Sequence, residues 1–175
     1  MASSPASAGH AAVFLDRGGV LIHDVGYPHR EDQLAFVPGA AEAVRRLNTL
    51  GYLVVIVTNQ SGVARGMFTH GQMQAFNDLI VRRLAAKGAR IGAVYACPYH
   101  AEAVDPAWRH PDHPDRKPNP GMIHRAIADH GIDPKRAFMI GDRPSDMEAA
   151  RRAGIPGFLF DGGNLDDFVR DLLAI

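Results

Sequence analysis

Short apolar runs rich in β-branched residues alternate with amphipathic stretches along this chain, and that alternation constrains its fold most. The clearest run, Tyr52–Val57, contains six consecutive apolar residues. A strand that is apolar on both faces is typical of the middle of a parallel sheet, because helices cover both faces there. The order of the runs predicts a Rossmann-like three-layer α/β/α fold with a central parallel sheet.

The boundaries of the elements follow from apolar periodicity and from helix-capping residues. Thr69 with Gln72, and Ser145 with Glu148, have the spacing of capping boxes and predict helix starts. Gly131 predicts a helix end. We expect strands at 11–15, 52–57, 91–96, 137–140 and 158–160, and helices at 39–50, 69–87, 121–130, 145–153 and after a cap at Asn164.

The length and charge of the chain limit its partners. Its 175 residues correspond to one domain, at roughly 100–200 residues per domain, and we expect a flexible leader at 1–11 before a single domain at 12–175. The 19 Lys and Arg balance the 19 Asp and Glu, which argues against a nucleic-acid partner because such surfaces carry a basic excess. No apolar run approaches the roughly 18 residues that span a bilayer, so no membrane partner is expected.

Cysteine usage and the N-terminus predict the compartment. The single cysteine, Cys97, cannot form an internal disulfide. The Ala/Ser-rich start lacks the basic beginning and the apolar centre of a signal peptide. We therefore expect a cytoplasmic protein, either a monomer or a weak oligomer.

Two irregular segments interrupt the alternation. Residues 16–38 contain several glycines and prolines with mixed charges, which argues against a helix, and we call residues 23–38 the flap. We call residues 97–118 the proline-rich loop, since half of the 12 prolines fall between Pro98 and Pro120. These segments predict a minimal or absent cap domain, with the flap and the loop closing over a ligand instead.

Polar side chains follow the predicted strands where each strand ends. Asp16 follows the first, Thr58 and Asn59 the second, and Asp142 the fourth, while Lys117 precedes a helix. Ligands of open α/β sheets bind outside the carboxyl ends of the strands, and carboxylates with phosphate oxygens are the ligands that Mg²⁺ prefers. Alone, each residue is typical of a turn, a cap or a solvated position; together they predict phosphoryl chemistry.

Four segments resemble the motifs of the haloacid dehalogenase-like phosphatases. They are FLDRGGVL, VVIVTNQSGVARG, RKPNPGM and IGDRPSDMEAA, and the resemblance extends from about residue 12 to residue 160. VGYPHREDQLAFVPGA and RKPNPGM are similar, more narrowly, to the subgroup of heptose-bisphosphate and histidinol-phosphate phosphatases. The resemblance implies a phosphoric monoester hydrolase that acts on a small phosphorylated sugar.

The resemblance also implies roles for the acidic residues. Asp16 would be the nucleophile, forming an aspartyl-phosphate. Asp142, the Asp16 carboxylate and the main-chain carbonyl of Gly18 would hold Mg²⁺. Asp146 would support the metal shell.

The remaining motif residues are implied to hold the substrate. Thr58, the backbone of Asn59, and Lys117 would hold the phosphoryl oxygens. Arg65 and Arg116 would reach the rest of the substrate, since a guanidinium can clamp a second phosphate in bidentate fashion.

The first motif departs from the family pattern at Gly18. The family has an Asp there that serves as general acid and base, and Val20 replaces its usual Thr. General acid–base catalysis contributes about 10²–10⁴-fold, so we expect a loss on that scale unless His23 or Asp24 on the flap replaces the missing acid. A catalytically weak relative that binds a sugar phosphate is the alternative from another class, and a histidinol-phosphate-type phosphatase is the alternative enzyme.

The proline-rich loop is the second departure. Relatives carry a zinc loop with several cysteines here, whereas this chain keeps Cys97 with His100, His113 and Asp115 as candidate Zn²⁺ ligands. A structural zinc site usually has more than one thiolate. The sequence therefore favours a proline-braced loop with solvated histidines over a zinc site.

Overall fold

The computed structural model describes residues 9–175 and contains one five-stranded parallel sheet of order β3-β2-β1-β4-β5. Helices cover both faces, which confirms the predicted three-layer fold. The strands are β1 (His10–Leu15), β2 (Leu53–Asn59), β3 (Ala93–Cys97), β4 (Ile132–Gly141) and β5 (Gly157–Leu159). The helices are α1 (Ala40–Thr49), α2 (His70–Ala86), α3 (Gly121–His130), α4 (Pro144–Ala153) and α5 (Leu165–Leu173).

Side chains of the central strand alternate between two apolar layers. Val13 and Leu15 of β1 pack with α1, α2 and α5, while Ala12 and Phe14 pack with α3 and α4. All four are fully buried, as the double-sided apolar pattern requires.

The sheet register brings the polar residues at the ends of three strands to one edge of the sheet. Leu15 of β1 pairs with Ile56 of β2 and with Ile140 of β4. All strands are parallel, so the residues that follow these three positions leave the sheet on the same side. Asp16, Thr58 and Asp142 consequently lie together at the carboxyl edge.

Several element boundaries differ from those expected. β2 continues through Thr58 and Asn59, which therefore end the strand instead of beginning a loop. β4 begins at Ile132, five residues before the expected start, because Ile132 pairs with His10 across an irregularity in the register. Of the predicted leader, residues 1–8 lie outside the described part of the chain, and His10 and Ala11 belong to β1.

The predicted capping box of Ser145 and Glu148 is wrong. α4 begins at Pro144, which suits the first helical position because it needs no N–H there. Asp146 accepts the backbone N–H of Arg143 at 3.1 Å and so takes the place of the expected Glu148. Glu148 instead pairs with arginines one turn along the helix. The capping box of Thr69 with Gln72 and the Asn164 cap are confirmed.

The flap and the proline-rich loop cover the carboxyl edge, and residues 9–175 form no separate cap domain. Arg17, which is buried next to Asp16, holds the flap: its guanidinium donates to Pro28 O at 3.1 Å and to Asn77 Oδ1 of α2 at 2.9 Å. The loop is packed by aromatic rings, with Tyr99 stacked on His113 at 4.0 Å. Among the helices described, none is long and apolar enough to cross a membrane.

Candidate active site

Three carboxylates converge at the carboxyl edge of the sheet. Ligand oxygens of Asp16, Asp142 and Asp146 all lie within 4.8 Å of one another. Gly19 permits this approach, since its φ of +83° suits glycine and a Cβ there would overlap the Asp142 carboxylate. Asp146 is fixed by the backbone N–H groups of Asp142 and Arg143, both at 3.1 Å.

Lys117 neutralises part of this negative charge. Its Nζ lies 3.0 Å from Asp16 Oδ1, 2.7 Å from Asp146 Oδ1 and 2.9 Å from the Val57 carbonyl. Burial by itself lowers the pKa of Lys117, but the charges of Asp16 and Asp146 outweigh it and raise that pKa. The lysine is therefore a fixed cation beside Asp16.

The side chain of Asn59 holds the Lys117 segment against the end of β2. It donates to Lys117 O and accepts from Lys117 N, each at 3.0 Å. Asn59 thus positions the lysine through its side chain, a role that the sequence pattern did not reveal.

Thr58 lies nearby and is almost fully buried. Gln60 Nε2 donates to Thr58 Oγ1 at 2.8 Å, and the hydroxyl itself donates to Asn59 O over a long 3.5 Å, a weak bond that a stronger acceptor in the cavity can replace. Nothing in the sequence pattern had singled out Gln60.

The acidic cluster has excess negative charge that a cation would relieve. Burial, and then the Asp16 carboxyl, raise the pKa of Asp142 to about 7, and burial raises the pKa of Asp146 against the opposing effect of Lys117. Within residues 9–175, buried Asp142 Oδ1 has no hydrogen-bond partner. A cluster of carboxylate oxygens that includes one buried oxygen without a hydrogen-bond partner suits a hard divalent cation such as Mg²⁺.

We expect Mg²⁺ to stabilise the folded protein through this cluster. A ligand at 100 times its dissociation constant stabilises by about 2.7 kcal/mol, so melting by calorimetry should shift upwards with Mg²⁺ and back with a chelator. Asp142→Asn should lose most of this shift, whereas Asp32→Asn, at an exposed pair with Arg30, should keep it. An equal shift in all three proteins would contradict the assignment of the cluster.

A cavity of about 350 Å³ opens above these groups. Its walls come from the ends of β1 and β2, the flap, residues 116–117 and the start of α4. Arg116 lines it, and Arg116 Nη1 is buried without a hydrogen-bond partner in the described part of the chain. Burial lowers the pKa of this guanidinium. An anionic ligand in the cavity would satisfy Arg116.

Arg65 lies elsewhere. Its guanidinium is 3.3 Å from His100 Nε2, and it does not belong to the cavity lining as described. Arg143, which the motif analysis did not select, lines the cavity instead. The substrate-binding role of Arg65 stays a prediction.

The space at Gly18 faces the flap. A Cβ built on Gly18 would lie 3.6 Å from Asp24 Cβ, an ordinary contact distance. Asp24 lines the cavity, and its Oδ2 accepts from Arg143 Nη2 at 3.0 Å. His23, the other flap residue considered for the missing acid, is exposed and outside the cavity lining as described.

The four candidate zinc ligands do not gather into one group in the described structure. Cys97 Sγ lies 4.0 Å from His113 Nδ1, and that nitrogen accepts the Asp115 N–H at 3.1 Å. Burial raises the pKa of the Cys97 thiol to about 11. His100 Nδ1 is occupied by the Glu102 N–H at 3.0 Å. Zinc binding stays untested, and the aromatic stack accounts for the packing of the loop.

Comparisons with known proteins show which family this chain belongs to. Residues 115–170 match the family model described as HAD-hyrolase-like. Over 163 residues, 93% of this chain and 89% of the relative, the sequence is 46% identical to a D-glycero-beta-D-manno-heptose-1,7-bisphosphate 7-phosphatase of Rhodopseudomonas palustris.

Two solved structures are similar to this chain in fold. A protein from Mesorhizobium loti, described as a HAD-like phosphatase, superposes with a TM-score of 0.88 and 36% identity over 99% of this chain and 89% of that one. The D,D-heptose 1.7-bisphosphate phosphatase of B. bronchiseptica, solved with magnesium and phosphate, has a TM-score of 0.77 and 28% identity over 94% and 98% of the two chains. Both similarities extend over nearly the whole of this chain.

Proposed function

Since this chain belongs to the D-glycero-D-manno-heptose-1,7-bisphosphate 7-phosphatase family of haloacid dehalogenase-like hydrolases, we propose that it removes the 7-phosphate of that sugar bisphosphate. The observation that best supports the proposal is the joint placement of Asp16, Lys117 and Thr58 at one cavity beside an acidic cluster. Each group matches one requirement of phosphoryl transfer: a nucleophile, a fixed cation, and a donor to the phosphoryl oxygens.

Asp16 is the nucleophile in this mechanism. Its Oδ1 accepts from Lys117 Nζ at 3.0 Å and from Arg17 N at 2.8 Å, which orients the carboxylate and leaves Oδ2 to meet phosphorus. The P–O bond to the sugar breaks as the bond to Oδ2 forms, giving an aspartyl-phosphate. Water then releases phosphate and restores the carboxylate.

Lys117 and Thr58 hold the phosphoryl group during both steps. The buried ammonium is held in place before substrate binds, so its charge stabilises the transition state without reorganisation, and the Thr58 hydroxyl can rotate to donate to a phosphoryl oxygen. Asp16 and Asp142 would hold Mg²⁺, with the Gly18 carbonyl as a further oxygen ligand and Asp146 supporting the metal shell. When bound, the ion neutralises charge on the transferring group.

Two guanidinium groups support a bisphosphate substrate. Arg116 and Arg143 both line the cavity, and one nitrogen of Arg116 is buried and unpaired among residues 9–175. We propose that Arg116 binds the phosphate that is not removed, because an arginine fork matches phosphate oxygens.

A second candidate function rests on Gly18. The position normally occupied by a proton-transfer acid has no side chain, which favours a weak relative that binds a sugar phosphate with little turnover. Within the enzyme class, a monophosphate such as histidinol phosphate is the alternative substrate. The proposal further includes a cytoplasmic location and a monomeric or weakly oligomeric state.

Phosphate release with Mg²⁺ tests the substrate assignment. We expect the heptose 1,7-bisphosphate to exceed both its 7-monophosphate and histidinol phosphate in kcat/KM, by about 10-fold or more, since a charged hydrogen bond contributes about 1.5–3 kcal/mol. Arg116→Met should remove most of that preference, whereas Arg82→Met, at an exposed position on α2, should keep it. Faster hydrolysis of histidinol phosphate would reject the substrate, and tight binding without release would favour the binding function.

A further inference from the structure

We propose that Asp24 on the flap is the proton-transfer residue of this phosphatase, protonating the departing sugar oxygen and then deprotonating the attacking water. The inference rests on the proposed function. The sugar oxygen leaves as a strongly basic alkoxide, so its departure is slow unless a positioned acid supplies a proton.

The described cavity leaves few carboxylates for this task. Asp16 is the nucleophile, and Asp146 is fully buried in its ion pair with Lys117, whereas the Asp24 side chain is 36% exposed. Asp142 belongs to the acidic cluster that suits a cation. Of the acids that line the described cavity, Asp24 remains.

Asp24 also occupies the right place. A side chain at Gly18 would project towards Asp24, with its Cβ 3.7 Å from Asp24 Cγ. The glycine therefore opens space beside the nucleophile, and the flap carboxylate lies at that space. A carboxylate entering from residue 24 can reach the region that a side chain from residue 18 would otherwise reach.

The flap holds Asp24 in position. Next to it, His23 N donates to Ala35 O at 2.9 Å, and Asp24 Oδ1 accepts the Gly26 N–H at 3.1 Å. Arg143 binds Oδ2 at 3.0 Å, and Arg17 fastens the flap at Pro28. Such support from neighbouring groups is what a proton-transfer residue needs to keep a productive orientation.

The proton balance closes over one turnover. In the first step the Asp24 carboxyl gives its proton to the sugar oxygen while Asp16 Oδ2 bonds to phosphorus. In the second step the Asp24 carboxylate takes a proton from water as the water oxygen bonds to phosphorus and the Asp16–phosphate bond breaks. Asp24 is then protonated for the next substrate.

The leaving group distinguishes proton transfer from a structural role. Asp24→Asn should lower kcat/KM on the heptose bisphosphate by about 10²–10⁴-fold. The leaving group of 4-nitrophenyl phosphate departs without a proton. For that substrate, kcat/KM measured by the release of nitrophenol should therefore fall by less than about 10-fold. Asp32→Asn, an exposed flap acid outside the cavity as described, should match the wild type. Arg143→Gln, which removes the contact to Asp24 Oδ2, should lower kcat/KM on the heptose bisphosphate more than on 4-nitrophenyl phosphate.

A second variant tests the geometry directly. Adding Gly18→Asp to Asp24→Asn should recover a large part of the lost activity on the sugar substrate, because the new carboxylate enters the same space from the turn after β1. Equal losses on both substrates in Asp24→Asn, or no loss, would overturn the role of Asp24. If the wild-type protein hydrolyses another alkyl phosphate but not the heptose bisphosphate, the proposed substrate is wrong. The comparison with 4-nitrophenyl phosphate can then be made with that alkyl phosphate. Wild-type inactivity on all phosphates would reject both proposals.

Discussion

Replacing Asp16 by asparagine is expected to reduce Mg²⁺-dependent phosphate release by about 10⁴-fold or more, the scale on which a covalent nucleophile contributes. The amide has nearly the same shape as the carboxylate but cannot form the aspartyl-phosphate. Asp16 Oδ1 accepts from Lys117 and from Arg17 N, and the amide oxygen can keep those two bonds. The fold should therefore survive, and circular dichroism should show an unchanged spectrum.

Acid quenching after rapid mixing gives a second measurement of the same step. Wild-type protein should carry covalent phosphate, and Asp16→Asn should carry none. Asp78→Asn, on the exposed face of α2, is the matched control and should behave as wild type. Phosphate release that persists in Asp16→Asn at the wild-type rate would show that another group attacks phosphorus.

Replacing Lys117 by methionine is expected to damage both stability and activity. Its side chain is 3% exposed and contacts two carboxylates, so the substitution leaves Asp16 and Asp146 without a counter-charge. Removing one partner of a buried ion pair costs about 3–5 kcal/mol. The free energy of unfolding in urea should fall by that amount without Mg²⁺, and phosphate release should fall below detection.

A second substitution separates the two effects of Lys117→Met. Adding Asp146→Asn removes one of the uncompensated charges and should restore part of the stability, but activity should stay lost because the phosphoryl group has no ammonium to hold it. Lys135→Met, at an exposed position of β4, should change stability by less than about 0.5 kcal/mol. Wild-type stability in Lys117→Met would mean that the ammonium does not balance the cluster.

The predictions that held best rest on local chemistry. Thr69 with Gln72 forms its capping box because a hydroxyl and an amide at that spacing satisfy two free N–H groups whatever lies around them. The run from Tyr52 to Val57 lies mostly in β2, since its double-sided apolar pattern requires burial on both faces. The capping box predicted for Ser145 and Glu148 is wrong because the helix begins at Pro144, one residue earlier.

The same distinction between local and long-range features applies to the site residues. Asp16, Thr58 and Asp142 were found because each directly follows a strand or ends it, and the parallel sheet brings such positions together. Arg143 and Gln60 were missed because their roles depend on neighbours distant in the chain or on a side-chain rotamer. Arg65 lies in the expected loop, but its guanidinium is directed to His100.

By itself, the sequence determined the alternating architecture, the three-layer fold and the carboxyl-edge residues, because periodicity, capping and strand ends are local properties. Only the tertiary structure decided how the flap is used. Arg17 holds the flap at Pro28, and Arg143, 119 residues along the chain, binds Asp24. These contacts place Asp24 beside Gly18, and no spacing along the chain encodes that distance.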